Sequence, residues 1–563
     1  MTHMDLKNIF DKKFWLILLA ILVVEILSYL GFIWPVINTI GFFVIAAVAL
    51  VLSIMDIKYG LLLALAELFI GSFGHLFVWE VKGVDISIRM ALWLIVLWVW
   101  LAQVIVLSFR PKRSEVEKSL QGGTKDTAKG SLGSARDDKG EKEKWYDFFK
   151  LPYGKYFYLL FAFVALGLVV GYVNHNNFAN IVLDANSWFY LALIFPLAQV
   201  FGKGGPHPDP LLTKERENNW QVLVRLLAAA VVWLSVETLA ALAFFSHLAD
   251  WQNLGLYRWL RVTGVGEVTS MSSDFVRVFF QSHIYVLAAV CLLLPLIIKL
   301  IINQRGTKDT AKGSLGSARD DKGGVWLAWL LLTIGLTVII IGQSRSFWLG
   351  LAAALVIFNV NYFFSKDPYP TSPLVRGRRK EGVWRVWFKF VGLFAASVIA
   401  SLLLMTTLVK LPGFGAWNML SQRSNLNEAA VSSRWALLPK LWQKIGESPI
   451  IGKGFGTTVI YKSSDPRVLA THPDGLYETY AFEWGWLDLW LKLSLVGALI
   501  YLWFLFILAR DAWRLNSPVG VGLVMIITAL AVINIFTPYL NHPLGLGVIM
   551  LTATYLKNDG VEK

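Results

Sequence analysis

Residues 325–364 read VWLAWLLLTIGLTVIIIGQSRSFWLGLAAALVIFNVNYFF, two apolar runs separated by the short polar turn GQSRS. Each run approaches the length of about 20 residues that a helix needs to cross a bilayer. This stretch therefore predicts two membrane-spanning helices, 325–343 and 347–364, with the turn residue Arg345 held at the membrane boundary. An arginine in that place either serves a function or simply extends from the bilayer edge into water.

The same apolar character extends over the whole chain. Of its 563 residues, 56% are hydrophobic and 16% are charged, whereas soluble domains are roughly 45–50% apolar and about 25% charged. This composition excludes a soluble multidomain protein, a disordered protein and a secreted disulfide scaffold. The single cysteine, Cys291, excludes an intrachain disulfide and a cysteine-based metal cluster.

We predict an all-α polytopic membrane protein with about 12–14 transmembrane helices and a large extracytoplasmic loop. The first apolar run is long and no small-residue cleavage site follows it, so we do not interpret it as a cleaved signal. The 14 candidate spans are 14–34, 36–55, 61–79, 89–109, 157–174, 187–201, 220–244, 284–303, 325–343, 347–364, 387–409, 486–509, 517–537 and 542–557. Two short pairs of spans are alternatively re-entrant or interfacial, which would leave 12.

The net charge of +14 indicates orientation, because the basic residues lie mostly between apolar runs and cytoplasmic loops are enriched in Lys and Arg. Alternation of the spans then places both termini in the cytoplasm. The predicted organisation is an N-terminal transmembrane bundle (1–245), an extracytoplasmic loop (246–283), central transmembrane helices (284–409), a large periplasmic loop (410–485) and C-terminal transmembrane helices (486–563), with cytoplasmic inserts at 110–156, 202–219, 304–324 and 365–386.

Two of these inserts contain the same 18 residues, GTKDTAKGSLGSARDDKG, at Gly123–Gly140 and Gly306–Gly323. Their flanks share nothing, which favours a mobile insertion over a structural repeat. Two other polar segments, 206–218 and 367–382, are similar in kind. We expect all four to be disordered and dispensable; binding of nucleic acid by these basic inserts is the less favoured alternative.

Ionisable residues within the spans are either functional or paired structurally, and the sequence does not choose between these roles. They are Glu25, Glu67, His75, Arg225 and Glu237.

The large outer loop 410–485 carries the richest chemistry. Arg434 opens RWALLPKLWQKI, whose apolar residues follow a helical spacing and predict a helix packed on the core or on the membrane surface. The segment SPIIGKGFG (448–456) predicts a turn that lets the backbone approach a neighbour closely. It lacks the dinucleotide-binding spacing of glycines.

The segment THPDGLYETYAFEWG (471–485) contains one histidine and three carboxylates. Asp474 and Glu478 would share one face if the segment were helical. One histidine is too few for a zinc site, and a proton carrier is the better use for His472. The alternative is that His472 is simply solvated.

Arginines at the outer ends of spans run against the positive-inside bias. The sequence places Arg89, Arg277, Arg345 and Arg434 in this class. Because a guanidinium matches a phosphate through its planar fork, these residues indicate an anion such as a lipid phosphate on that side.

The order of these motifs resembles the O-antigen ligase and O-antigen polymerase family over roughly residues 325–490. The resemblance rests on a Ser-Arg-Ser turn between two spans, a loop arginine before a Trp/Leu helix, SPIIGKGFG, and a histidine followed by Glu-Trp-Gly at the start of a span. Two weaker matches are DISIRM around Arg89 and DFVRVFFQSH around Arg277.

This resemblance implies a C-type-glycosyltransferase-like fold in the bacterial inner membrane with an active site facing the periplasm. The implied reaction moves a glycan from undecaprenyl pyrophosphate to a lipid or glycan acceptor. It needs no metal and no cofactor. The implied partners are the carrier-linked glycan, the acceptor and membrane lipids, without nucleic acid.

The resemblance also assigns residues. His472, Arg434 and Arg345 would be catalytic, and Arg277, Arg89, Asp474 and Glu483 would bind substrate. The family's usual His-x-His-Asn pattern has Asp474 in place of its second histidine here, so either His472 or Asp474 is the base.

Three alternatives to an O-antigen ligase remain open at this point. An O-antigen polymerase would use the same motifs on carrier-linked repeat units. A transporter or flippase for a lipid-linked glycan would show repeated halves and broken helices near the midplane. A non-catalytic assembly scaffold would tolerate substitution of all four arginines.

Overall fold

The protein is an all-α polytopic membrane protein. The computed structural model describes residues 9–81, 83–109, 150–202, 210–248, 250–271, 275–310, 317–364, 379–409 and 429–558. Within these residues, 12 helical segments are long and apolar enough to cross a membrane. The first copy of the duplicated sequence, Gly123–Gly140, lies outside the described residues.

The first half of the chain is a series of helices interrupted by two β-hairpins. Its helices are α1 (Lys12–Ile33), α2 (Pro35–Met55), α3 (Ile57–Ile70), α4 (Ile88–Phe109), α5 (Gly154–Val173), α6 (Phe178–Phe189), α7 (Ile194–Phe201), α8 (Pro210–Ser246) and α9 (Gly255–Val262). Its antiparallel hairpins are β1–β2 (Val78–Val81 and Val84–Ser87) and β3–β4 (Glu267–Ser270 and Val276–Phe279).

The second half adds long helices around one more hairpin. Its helices are α10 (His283–Thr310), α11 (Ser317–Gly342), α12 (Arg345–Phe364), α13 (Arg379–Val409), α14 (Ala429–Gly446), α15 (Pro466–Thr471), α16 (Gly485–Arg514), α17 (Pro518–Phe536) and α18 (Pro543–Asn558). The hairpin pairs β5 (Val459–Lys462) with β6 (Leu476–Thr479) in antiparallel register. Short 3₁₀ turns form at Tyr190–Leu193, Trp251–Asn253 and Tyr539–Asn541.

Twelve of the 14 predicted spans correspond to the 12 segments that meet the length and hydropathy criteria. The other two, 61–79 and 542–557, fall on α3 and α18, which have 14 and 16 residues. Both helices are largely buried among their neighbours and contact each other. Because protein rather than lipid surrounds them, they need not match the full thickness of a bilayer.

The connections of the bundle define two faces. Asn38, near the start of α2, exchanges hydrogen bonds with the backbone of Val78 in β1, whereas the turn at Asp56 between α2 and α3 lies at the other end of α2. We call the end that carries the three hairpins and the 429–484 segment the loop face. Arg277 of β4 donates to the carbonyl of Gly342, and Asn176 donates to that of Phe455. These contacts bring several turns together on the loop face.

Polar caps set where the helices of the bundle begin. Asp56 accepts a hydrogen bond from the amide of Lys58 at 2.9 Å, which starts α3 directly after α2 ends. Ser517 accepts from the amide of Gly520, and Pro518 follows as the first residue of α17. Asn177 caps α6 in the same way. Each cap satisfies a backbone donor that the helix itself cannot pair.

Helix α17 occupies the centre of the second half, packed against α10, α12 and α16. Gly350 lets α12 approach it closely, because a Cβ atom there would lie 3.0 Å from the carbonyl of Ala529 and 2.7 Å from a side-chain carbon of Ile533. Small residues commonly serve this purpose between membrane helices.

The prediction of disorder is wrong for parts of the three inserts that the structure describes in part. Helix α10 continues through Gly306–Thr310 and α11 begins at Ser317, so the second copy of the duplicated sequence extends two helices. In the same way α8 begins at Pro210 and α13 at Arg379. The long neighbouring helices propagate into the polar sequence, because adding a turn to an existing helix avoids the cost of nucleation.

We expect Gly350→Val to lower the free energy of unfolding by about 1–3 kcal/mol, the usual cost of overpacking a tight interface. The measurement is thermal unfolding of the purified protein in detergent. The control is Gly392→Val on α13, where an added Cβ would meet nothing within 4 Å. Equal melting temperatures for the two variants would contradict close packing of α12 on α17.

Candidate functional site

The 429–484 segment folds over the loop face around helix α14. Leu437, Leu441 and Ile445 form the buried stripe of α14, packed with Val459 and Phe482. The predicted helix is therefore present, and its inner face packs on protein. Two tryptophans of the predicted apolar stripe are about half exposed instead: Trp435 packs its edge on Trp484, and Trp442 on Trp490.

Arg434 and Glu483 are brought together although they lie 49 residues apart. The Nε and one Nη of Arg434 donate to the two carboxylate oxygens of Glu483. The carbonyl of Arg434 also accepts from the indole of Trp484 at 3.0 Å. Both charged side chains are exposed, at 38% and 49%, so a ligand on the loop face can reach this pair.

His472 and Asp474 lie in the exposed turn between β5 and β6. The His472 ring contacts the hydroxyl of Thr471 through Nδ1 at 2.9 Å and packs against Tyr477. Asp474 accepts a hydrogen bond from the amide of Leu476 at 3.0 Å, which shapes the turn. Asp474 and Glu478 do not share a helical face as considered above, because Glu478 lies in β6 opposite Ile460.

Serine contacts tie this turn to the arginine helix. Ser433, adjacent to Arg434, is 2.7 Å from the hydroxyl of Ser463 and 3.3 Å from that of Tyr461. The amide of Ser463 donates to the carbonyl of Gly475, next to Asp474. The hairpin that carries His472 and the helix that carries Arg434 are therefore one unit.

Arg277 and Arg345 both lie at the junction between α11 and α12. Arg345 is the first residue of α12, directly after the polar turn. Arg277 donates from Nε to the carbonyl of Gly342, the last residue of α11, at 3.0 Å. Its guanidinium also lies 3.6 Å from Glu267 and 5.0 Å from the ring centre of Phe279.

The segment 536–541 links the surroundings of Arg434 to the junction that carries Arg277 and Arg345, and no sequence motif predicted it. Phe536 packs against Trp484, beside Glu483. Thr537 contacts Ser346, beside Arg345, at 3.1 Å. Tyr539 donates to Gln281 at 2.7 Å. The signal that could have revealed this segment is TPYLNHP, a proline-bounded polar interruption between the last two apolar runs.

Arg89 is placed differently from the other arginines. It is 6% exposed and forms a two-point ion pair with Glu67, at 2.8 and 3.1 Å, while its remaining Nη donates to the carbonyl of Ser72. Glu67 is therefore paired structurally. Nearby His75 has its pKa lowered, mainly by burial and then by the charge of Arg89. The contacts of Arg89 hold α3 to α4 and do not lead to the 429–484 segment.

The backbone of the glycine segment 448–456 approaches its neighbours closely, as the sequence predicts. Gly452 and Gly454 have φ of +79° and +77°, a region that favours glycine. An added Cβ at Gly452 would collide with the carbonyl of Leu491, and one at Gly454 with the backbone of Gly171 in α5.

A break in α16 faces this glycine segment. Ser494 has φ +76° and ψ 163°, so the helical hydrogen bonding is interrupted there. The carbonyl of Leu491 accepts hydrogen bonds from the amides of Lys453 and Gly454. The amide of Leu495 donates to the carbonyl of Ile450. Leu495 lies ten residues into α16, about 15 Å along a helix, so the glycine segment enters the layer of the spans.

A comparison with family models matches residues 329–489 to the family described as O-antigen ligase. The matched region runs from α11 to the start of α16 and contains Arg345, Arg434, His472 and Glu483. It confirms the resemblance inferred from the motifs. No curated protein matches the chain, and no solved structure does.

We expect Gly454→Ala to destabilise the fold, because alanine adds a Cβ against Gly171 and strains a left-handed backbone by about 1–3 kcal/mol. Thermal unfolding in detergent measures the effect. Gly446→Ala is the matched control, since a Cβ there meets nothing within 4 Å. A Gly454 variant as stable as the control would show that the segment is not held against α5.

Proposed function

We propose, from the match of residues 329–489 to the O-antigen ligase family, that this chain transfers a glycan from undecaprenyl pyrophosphate to an acceptor. The loop face would look into the periplasm from a bacterial inner membrane, with both termini in the cytoplasm, in keeping with the excess of Lys and Arg in the inserts. The observation that supports the proposal is that segment 536–541 contacts both Trp484, which bonds to Arg434, and Ser346, beside Arg345.

The arginines suit a pyrophosphate leaving group. Arg345 begins α12, where backbone amides and the helix dipole also favour an anion. Arg277 stands at the same junction. Arg434 is exposed and held by Glu483, and a phosphate with its greater charge can replace that carboxylate as a two-point partner. Glu483 would then orient Arg434 before the donor arrives.

The transfer follows from charge neutralisation and one proton movement. An acceptor hydroxyl oxygen attacks the anomeric carbon, a new glycosidic bond forms, and the bond from that carbon to the pyrophosphate oxygen breaks. The arginines stabilise the charge that develops on the departing pyrophosphate. The hydroxyl proton passes to His472, since imidazole is the usual proton carrier near neutral pH.

Asp474 and Arg89 receive different assignments. The carboxylate of Asp474 is exposed in the same turn as His472, so we assign it to binding the acceptor, with the role of base as its alternative. Arg89 has its fork taken up by Glu67 and Ser72, so we assign it to holding α3 against α4 instead of to substrate.

The two alternative functions, polymerase and transporter, would form different products. A polymerase would use the same donor chemistry with a carrier-linked glycan as acceptor. A transporter is favoured by one observation, the break in α16 at Ser494, since broken helices line transport sites. The backbone groups freed by that break are paired: the amides of Lys453 and Gly454 donate to Leu491, and the carbonyl of Ile450 accepts from Leu495. This pairing supports a fixed scaffold over a moving gate.

We expect Arg434→Ala and His472→Ala each to lower the rate of glycan transfer about 10²–10³-fold, the usual cost of removing a group that stabilises the transition state. The assay uses purified protein, lipid-linked donor and acceptor. Lys440→Ala is the control, because it removes an exposed cation from the same helix as Arg434. Unchanged transfer in both test variants would overturn the mechanism.

Gene deletion distinguishes the candidate functions. We expect loss of glycan-capped surface lipid with carrier-linked polymer retained. Single-unit products would instead indicate a polymerase, and unchanged surface glycan would count against both. Movement of carrier-linked glycan across vesicles without a new glycosidic bond would indicate a transporter.

A further inference from the structure

A cluster of buried charged side chains lies beneath the loop face, outside the sequence motifs of the candidate site. Lys492 of α16 lies between Asp184 of α6 and Asp488, one turn earlier in α16. Its ammonium is 2.6 Å from Asp184 and 2.5 Å from Asp488. The three side chains are only 4%, 9% and 5% exposed. We call Asp184, Asp488 and Lys492 the buried triad.

The ammonium of Lys492 donates hydrogen bonds to the carboxylate of Asp184 and, at 2.9 Å, to the carbonyl of Tyr480. Its contact with Asp488 is an ion pair. The ring of Phe482 lies 5.1 Å from the same nitrogen. Through the carbonyl of Tyr480, Lys492 therefore holds the chain between β6 and α16, which also contains Glu483.

Each carboxylate of the triad holds a different backbone segment. The second oxygen of Asp184 accepts from the amide of Gly456 at 3.0 Å, which anchors the end of the glycine segment. The second oxygen of Asp488 accepts from the side chain of Asn541, in the segment that contacts Ser346. The triad thus joins three segments: the glycine segment, the chain between β6 and α16, and segment 536–541. These three segments are not paired as β-strands with one another.

We propose that Lys492 is a positioning residue for the transfer reaction: it fixes the glycine segment, the 476–484 segment and segment 536–541 in one arrangement, so that Arg434, His472 and Arg345 face a common substrate. This inference rests on the proposed function. Burial keeps Lys492 away from substrate, so it acts through the backbone it holds. A misplacement of about 1 Å can cost about 10²-fold in rate.

The first test is Lys492→Met, which keeps an unbranched side chain one heavy atom shorter and removes the ammonium. In the folded protein, we expect kcat for glycan transfer to fall at least about tenfold while KM for the lipid-linked donor changes less than about threefold, because the groups that bind the donor remain but lose their mutual alignment. Steady-state kinetics in detergent or nanodiscs measure both constants.

A second variant keeps the proposal testable if Lys492→Met does not fold. Lys492→Met leaves two facing carboxylates buried, a costly arrangement. Lys492→Met/Asp184→Asn removes one of them, and Asp488 keeps its bond from Asn541. We expect this double variant to fold and to show the same fall in kcat. Full activity in it would overturn the proposal.

The matched control is Tyr153→Phe, which removes another buried polar contact of α16, the bond from Tyr153 to Asp511 at 3.1 Å. That contact lies at the far end of α16 from the loop face. We expect the control to lower the melting temperature without changing kcat. A proportional fall of kcat with melting temperature in all variants would show that Lys492 contributes stability alone.

A distance measurement tests the positioning without reference to activity. Spin labels at Ile460 on β5 and Val173 at the end of α5, both exposed, report how the hairpin sits on the bundle, after replacement of Cys291 by alanine. We expect a narrow distance distribution in the otherwise native chain and in the Tyr153 variant, and a broad one in Lys492→Met. A narrow distribution in all three would overturn the inference.

These two readouts separate the failures. If the native chain transfers no glycan from the lipid-linked donor, the proposed function is wrong, and the distance measurement still decides whether Lys492 positions the segments. If the native chain transfers glycan and the Lys492 variants match it in kcat and in distance distribution, only the positioning role is wrong.

Discussion

The loop face depends on one constraint: within the layer of the spans, a backbone group that leaves its helix must find another partner in the protein. Helix α16 breaks at Ser494, which releases the carbonyl of Leu491 and the amide of Leu495. The glycine segment supplies both partners, through the amides of Lys453 and Gly454 and the carbonyl of Ile450. The break and the glycine segment therefore require each other.

This mutual requirement fixes the parts that carry the candidate site. The glycine segment connects α14, with Arg434, to the hairpin that holds His472, so anchoring its middle inside the bundle anchors both. Lys453 and Lys444 bond to Glu447 and hold the pKa of that carboxyl below its usual range, which further ties the segment to α14. The exposed chemistry of the loop face thus stands on a buried backbone contact.

The prediction from sequence was strongest where one physical rule dominated. Apolar length predicted the spans, and 12 of them meet the criteria for a membrane helix. It did not reveal that α3 and α18 are short, because burial by protein relaxes the length requirement. Polar composition predicted disorder in the inserts, yet α10 and α11 extend into the second repeated copy. Residue order alone predicts that Arg345, Arg434 and His472 belong to one site, and all three lie within the region that matches the family model.

The sequence by itself determined that the chain is a polytopic membrane protein and that its arginines and histidine follow the order of the O-antigen ligase family, because hydropathy and motif order are local properties. Only the tertiary structure decided which charges are open to a ligand. Arg89 is buried against Glu67, whereas Arg434 is exposed beside Glu483. It alone revealed the buried triad, since Asp184 and Lys492 are 308 residues apart. Their meeting depends on how helices pack, which no local pattern encodes.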